Sequence, residues 1–110
     1  MIDFTDFLPT LLDAAGASLP EGMDGRSFLS PVLGNPGRAR DWIFCHYDPR
    51  WGEWTRKRFV RDKRWKLYGD GTLFDLETDL LELQPLPLEA MNQEAEDARL
   101  RLQGVLDAMR

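Results

Sequence analysis

Arg58-Phe59-Val60-Arg61-Asp62-Lys63-Arg64-Trp65-Lys66-Leu67-Tyr68-Gly69-Asp70-Gly71-Thr72-Leu73-Phe74-Asp75-Leu76-Glu77-Thr78-Asp79 is the stretch on which the reading of this chain turns. Residues 56–61 and 64–68 alternate in the manner of strands, with Asp62-Lys63 between them as a tight connection. In the second strand Trp65 and Leu67 share one face, while Lys66 and Tyr68 share the other. Gly69-Asp70-Gly71 supplies the positive φ values that a short hairpin loop needs. Residues 72–76 form the last strand, and an acidic exit follows.

Upstream, Trp42-Ile43-Phe44-Cys45-His46-Tyr47 is a continuous apolar and aromatic run. It reads as a central strand covered on both faces. Asp48 to Trp54 is then a loop with two large aromatics. Short strands linked by such turns predict an antiparallel meander. Downstream, Pro85 and Pro87 separate the sheet from a C-terminal helix. Leu88, Met91, Ala95, Ala98, Leu102, Val105 and Met109 recur there with helical steps of three and four. That stripe could be a coiled-coil seam, but its alanines and its short run favour packing on one face of the sheet. Asp97 with Arg101, and Glu96 with Arg99, have the spacing of surface pairs.

Toward the N-terminus, residues 6–15 read as a short helix, with Leu8, Leu11, Leu12 and Ala15 as its buried stripe. Asp6 can cap it, Pro9 falls in the first turn, and Gly16 stands where a left-handed C-cap belongs. Residues 17–41 are rich in Gly and Pro and read as loop, with one helical turn near Ser27–Leu33. The expected class is α+β: a four-stranded antiparallel sheet with a C-terminal helix on one face, preceded by a short N-terminal helix and a long loop. The chain is read as a single domain over 1–110, with helix and connecting loop at 1–41, sheet at 42–84 and C-terminal helix at 85–110.

The 110 residues, 43% hydrophobic and 30% charged, suit one globular domain and not a disordered chain. A net charge of −5 argues against nonspecific nucleic-acid binding. The charge is uneven: residues 50–66 are strongly basic and residues 75–97 strongly acidic. A basic middle can meet an anionic ligand or simply form a solvated strand face. The single cysteine, Cys45, excludes an intrachain disulfide framework. No apolar run approaches the roughly 20 residues of a membrane span, so no membrane partner is expected. No basic region followed by an apolar run opens the chain, so no signal peptide is read, and the compartment stays open.

Several motifs together resemble the sulfatase family, arylsulfatase-like members of the alkaline phosphatase superfamily, in their C-terminal subdomain only. Ile2 to Gly16 resembles the "D-[IL]-x-P-T-L-L-D-L-A-G" helix of that family. Asp24-Gly25-Arg26-Ser27-Phe28-Leu29 resembles the "D-G-x-S-[LF]-L" that follows. Trp65-Lys66-Leu67-Tyr68 and Leu73-Phe74-Asp75-Leu76 match its hairpin. Thr78-Asp79-Leu80-Leu81-Glu82 resembles the "x-D-P-x-E" exit, with Leu80 in place of the usual Pro. The resemblance implies a small four-stranded sheet with a helix packed on it, partnered by an N-terminal catalytic domain in the parent protein. It implies calcium for the full-length family and none held by this chain. Family members are often exported.

The family's nucleophile is a formylglycine made from Cys or Ser in "C/S-x-P/A-x-R". This chain offers Cys45-His46-Tyr47-Asp48-Pro49, with Tyr47 where Pro or Ala belongs and Pro49 where Arg belongs. Cys45 is therefore read as a buried structural thiol, and no catalytic residue is assigned. Cys45 and His46 are adjacent on a strand and point to opposite faces, so they cannot form a thiolate–imidazolium pair. Asp75, Glu77 and Asp79 could bind a hard cation but read as a solvated turn, so no metal ligand is assigned.

The expected role is recognition. His46, Tyr47, Arg50, Trp51 and Trp54 lie at or beyond the end of the first strand. Aromatics stack on sugar or aryl rings, and Arg pairs bidentately with sulfate. These residues are candidates for contacting a sulfated sugar or aryl substrate in one wall of a cleft built elsewhere; the tryptophans could equally be loop anchors. The alternatives are a free-standing binding module for anionic sugars through the basic, Trp-rich loop, or a helix-mediated interaction module.

Overall fold

The structure, a computed structural model, describes residues 1–37, 40–49 and 56–109. The chain divides into two compact units, Met1–Asp41 and Trp42–Arg110.

The second unit is the expected α+β layer pair. Its strands are β1 (Ile43–Tyr47), β2 (Lys57–Arg61), β3 (Trp65–Tyr68) and β4 (Leu73–Asp75), in sheet order β1-β2-β3-β4. Every neighbouring pair is antiparallel. Register explains the alternation: Phe44 faces Val60, Val60 faces Leu67 and Leu67 faces Leu73, so one row of apolar side chains crosses the sheet. Helix α1 of the first unit is Phe7–Ala14, α2 is Leu29–Val32, and the long helix α3 is Gln93–Ala108. Asn92 caps α3 by accepting a hydrogen bond from the Ala95 N–H at 2.9 Å. Ala95, Ala98, Leu102 and Leu106 lie on one side of α3 and close over Val60, Trp65, Leu67 and Leu73. The two alanines are helpful here, since small side chains let the helix approach the sheet closely.

Several expectations need correction. β1 is an edge strand, not a central one, and its last residues, His46 and Tyr47, are exposed. Its aromatic run reflects Trp42 and Phe44 packing at the margin of the core, not cover on both faces. Cys45 is accordingly half-buried, not fully buried. The β2–β3 connection spans 62–64, between Arg61 and Trp65. Asp62 organises it by accepting from the N–H groups of Arg64 (2.8 Å) and Trp65 (2.6 Å). Of the Gly69-Asp70-Gly71 turn, only Gly71 takes a positive φ, +90°. The last helix starts at Gln93, so Leu88 falls in a short 3-10 turn and is exposed, and Leu106 belongs to the core that the periodic reading passed over. Arg101 reaches Asp62 at 2.6 Å instead of Asp97, which accepts from Gln93. A charge on the helix flank gains more from the buried turn carboxylate of Asp62 than from a solvated neighbour.

The first unit is built differently. Asp3 caps a 3-10 turn, Phe4–Asp6, in a reciprocal capping box with Asp6, and α1 continues from it. Gly16 (φ +68°) ends α1, with Ala17 N–H donating to Leu12 O and Gly16 N–H to Asp13 O. The expected buried stripe of α1 is reversed. Leu8 and Leu11 are exposed and Leu12 half-buried, while Asp6, Pro9 and Thr10 are buried. The reason is polar. Thr10 Oγ1 donates to Asp6 O at 2.6 Å and accepts from the Phe28 N–H at 3.0 Å. Arg40 Nε donates to both Asp6 oxygens, at 2.9 and 2.7 Å, and the Arg26 N–H adds a bond of 2.7 Å. Gly25 is required against this helix: a Cβ there would meet Thr5 O at 1.9 Å.

Candidate functional site

Of the five residues expected to contact substrate, Arg50, Trp51 and Trp54 lie outside the described residues. The other two end β1 and separate. His46 is opposite Arg58, on the side of the sheet that α3 covers. Tyr47 is opposite Lys57, on the free side. Just beyond them Asp48 accepts an exposed ion pair from Arg56 at 3.0 Å. The structure therefore joins Tyr47, and not His46, to the helix-free face.

That face carries a groove of about 730 Å³ bordered by Arg56, Lys57, Tyr68, Phe74, Leu81 and Glu82. The floor follows from strand alternation: Phe59, Lys66, Tyr68 and Phe74 all turn away from the helix. Lys66 Nζ sits 4.1 Å from the Phe59 ring centre and 4.9 Å from that of Tyr68. Glu82 closes the cluster, accepting from Lys66 Nζ and from Tyr68 Oη, each at 2.5 Å. Glu82 does so from a left-handed backbone, φ 56°, a conformation that costs a non-glycine residue about 1 kcal/mol or more. The strain persists because two charge-assisted hydrogen bonds hold the side chain.

Burial alone would lift the Glu82 carboxyl, yet hydrogen bonds from Lys66 and Tyr68 together bring it below its ordinary range. Burial disfavours the charged ammonium of Lys66, but its hydrogen bonds and charge interactions with Glu82 and Tyr68 together outweigh that and raise the group. Burial first, and Glu82 second, push the Tyr68 phenol up. At neutral pH the cluster is therefore lysine cation, glutamate anion and neutral phenol. At the rim, Lys57 and the Asp48-paired Arg56 add basic character.

A second polar cluster sits at the opposite end of the sheet. Arg64 donates to Asp75 through Nε (3.1 Å) and Nη2 (2.9 Å), reaches Glu77 at 3.2 Å and Glu94 at 2.9 Å, and stacks over Trp65 at 4.6 Å. This bears on the carboxylates of the exit turn. Asp75 and Glu77 are engaged by Arg64, and Asp79 accepts from the N–H groups of Leu83 and Gln84. Among the described residues no three His, Cys, Asp or Glu side chains gather to hold a metal. Each of these three carboxylates is thus already held by a partner within the chain. No described helix is long and apolar enough to cross a membrane.

Sequence reasoning placed Lys66 and Tyr68 on one face but missed Glu82 as their partner. The signal was available only in part: the exit motif ends in Glu82, but spacing does not say that the turn folds back under β3.

The chain matches the sequence model of the family described as N-sulphoglucosamine sulphohydrolase, C-terminal, over residues 1–108. It is 35% identical over 69 residues to the ulvan-active sulfatase of Formosa agariphila, a match covering 60% of this chain and 14% of that protein. Its fold is similar to that of a solved 2-O GAG sulfatase, with TM-score 0.74 and 26% identity, covering 94% of this chain and 23% of the other. It is also similar to a protein solved in complex with its substrate D-glucosamine-2-N,6-O-disulfate, with TM-score 0.73 and 28% identity, again covering 94% and 23%. The chain thus spans less than a quarter of the length of these relatives. With the match running across both units, the chain belongs to the N-sulphoglucosamine sulphohydrolase C-terminal family, the C-terminal portion of sulfatases.

Proposed function

We propose that this chain supports one wall of the substrate cleft of a sulfuric ester hydrolase whose catalytic groups reside in an N-terminal domain. The observation that carries this reading is the family match over residues 1–108, set against coverage of only 23% of the solved sulfatases. The nucleophile, the calcium and the groups that protonate the leaving oxygen then belong to the N-terminal domain. Substrate recognition falls to the loop after β1 and its surroundings. Tyr47 opposite Lys57 supplies a ring and a cation at the strand end. Arg50, Trp51 and Trp54 add an anion-binding guanidinium and stacking surfaces. The substrate class is a sulfated sugar, in keeping with the disulfated glucosamine bound by one structural relative.

Two measurements test this. Purified chain incubated with an aryl sulfate or with D-glucosamine-2-N,6-O-disulfate is expected to release no sulfate; turnover abolished by Cys45→Ala would overturn the assignment of catalysis to another domain. In the polypeptide that carries the catalytic domain, Trp51→Ala with Trp54→Ala is expected to raise KM about tenfold with a smaller change in kcat. An unchanged KM removes the loop from the cleft.

A further inference from the structure

Among the described residues Glu82 is the one non-glycine with a positive φ, and it borders the groove on the helix-free face of the sheet. Backbone strain of this kind persists where the surroundings fix a side chain in place. Here the hydrogen bonds from Lys66 and Tyr68 to Glu82 lock three polar side chains in one arrangement. The side chains of Lys66 and Glu82 are only 12% and 24% exposed, so that arrangement belongs to the fold and does not wait for a ligand. Phe59 and Phe74 buttress the Tyr68 ring, with ring centres 5.5 and 5.9 Å away. A floor already fixed in this way needs little further ordering when a ligand binds.

The lining says what kind of ligand fits. Lys57 at the rim makes no ion pair among the described residues, whereas Arg56 is paired with Asp48 and Lys66 with Glu82. One cation is thus open to one anion. The Glu82 and Asp70 carboxylates border the same space and keep lone pairs for hydroxyl donors beyond the bonds they already accept. They also disfavour a densely charged ligand, because a second anion would meet a carboxylate. Leu81, 77% exposed, offers an apolar wall to the C–H face of a sugar ring. The groove's volume of about 730 Å³ lies within the range of small-ligand sites. We propose that this groove is a subsite for a sugar ring bearing a single anionic group. Lys57 holds the sulfate or carboxylate, Glu82 and Asp70 accept ring hydroxyls, and Leu81 lies against the ring. The subsite deepens the cleft-wall reading, on which its class of ligand rests. Tyr47, at the strand end where the loop begins, stands opposite Lys57.

The test is a titration of the full chain, read by NMR, with glucose 6-sulfate, glucuronate, glucose and inorganic sulfate as probes. At least one of the two anionic sugars is expected to shift the resonances of Lys57, Tyr68, Asp70 and Leu81. It should bind about tenfold or more tightly than glucose or inorganic sulfate. Binding of the sulfate ester alone identifies a sulfated ring, binding of glucuronate alone a uronic acid, and binding of both a site that reads charge; each supports the subsite. Lys57→Ala is expected to weaken binding about tenfold and Leu81→Ala about threefold, with thermal unfolding unchanged because both side chains are exposed. Lys57→Arg should retain binding, and so should Leu83→Ala, which is exposed but does not border the groove. Inorganic sulfate binding as tightly as glucose 6-sulfate would mean an adventitious anion site only, and would overturn the proposal. Glucose binding as tightly as the anionic sugars overturns it too, as do shifts confined to residues outside the groove, or no shift with any probe. Equal losses in Lys57→Arg and Lys57→Ala have the same consequence. The titration needs no catalytic domain, so it fails separately from the cleft reading. Groove variants that bind like wild type remove the subsite and leave a raised KM in the Trp51→Ala and Trp54→Ala variant standing. An unchanged KM in that variant removes the loop from the cleft and leaves the measured groove binding standing.

Discussion

The two units solve the same problem with opposite chemistry. In the second, Leu67, Leu73, Leu102 and Leu106 are essentially inaccessible, and charge lies outside that core, on Arg64 and Lys66 with their carboxylates. In the first, a carboxylate, a hydroxyl and a proline are inside, and phenylalanine and leucine are outside. A hydrophobic core stabilises without direction and tolerates change in its surroundings. A buried ion pair is directional, fails abruptly when one partner is lost, and leaves apolar surface needing cover elsewhere. The second unit is therefore held by apolar burial, and the first by directional polar bonds around Asp6 and Thr10.

The sharpest way to break that contrast is to attack each interior. Leu102→Ala, at 0% exposure, is expected to cost the second unit about 2–5 kcal/mol in urea unfolding. If the loss is no larger than that of Leu11→Ala, the core has been misplaced. In the first unit the corresponding lever is pH. The Asp6 carboxyl is lowered from 3.8 to about 2: burial opposes this, and the Arg40 hydrogen bond with the Asp3 and Arg26 N–H bonds more than offsets it. Because the folded value is depressed, the stabilisation is complete above the ordinary value and disappears as pH falls from about 4 to about 2. The shift corresponds to roughly 2 kcal/mol. Amide exchange at Arg26 and Phe28 should accelerate over that window in wild type and become insensitive to it in Asp6→Asn. A window centred above pH 5 would contradict the ion-pair account.

Smaller effects refine the comparison. Glu82→Gln is expected to cost about 1–2 kcal/mol and to return the Tyr68 phenol toward its ordinary titration, read as phenolate absorbance. Asn92→Ala removes the α3 cap and should cost about 1 kcal/mol. Leu11→Ala in the chain alone should change stability by less than about 0.5 kcal/mol, since the side chain is solvated. A loss of several times that value would mean that the face is already covered.

The sheet was largely legible because strand period and turn chemistry are local. Trp65 and Leu67 alternating with Lys66 and Tyr68 specify both faces of β3 before any partner is known. The errors cluster where a non-local partner decides. The apolar run at residues 42–47 looks the same whether its strand is central or at an edge. Leu106 was passed over because two periodic solutions exist along α3, and only the sheet selects one. The candidate site was half legible: Tyr47 and His46 were singled out together, but strand alternation and register send them to opposite sides. Glu82 escaped because its role depends on a turn folding beneath β3.

Residue order alone determined the α+β class, the hairpin, the family and the absence of the formylglycine motif, all of which rest on short-range spacing. Tertiary structure alone decided which face of α1 is the interior. Periodicity shows that Leu8, Leu11 and Leu12 form a stripe, but it carries no direction. Arg40, thirty-four residues from Asp6 in the chain, supplies the direction by drawing the carboxylate inward and turning the leucines out.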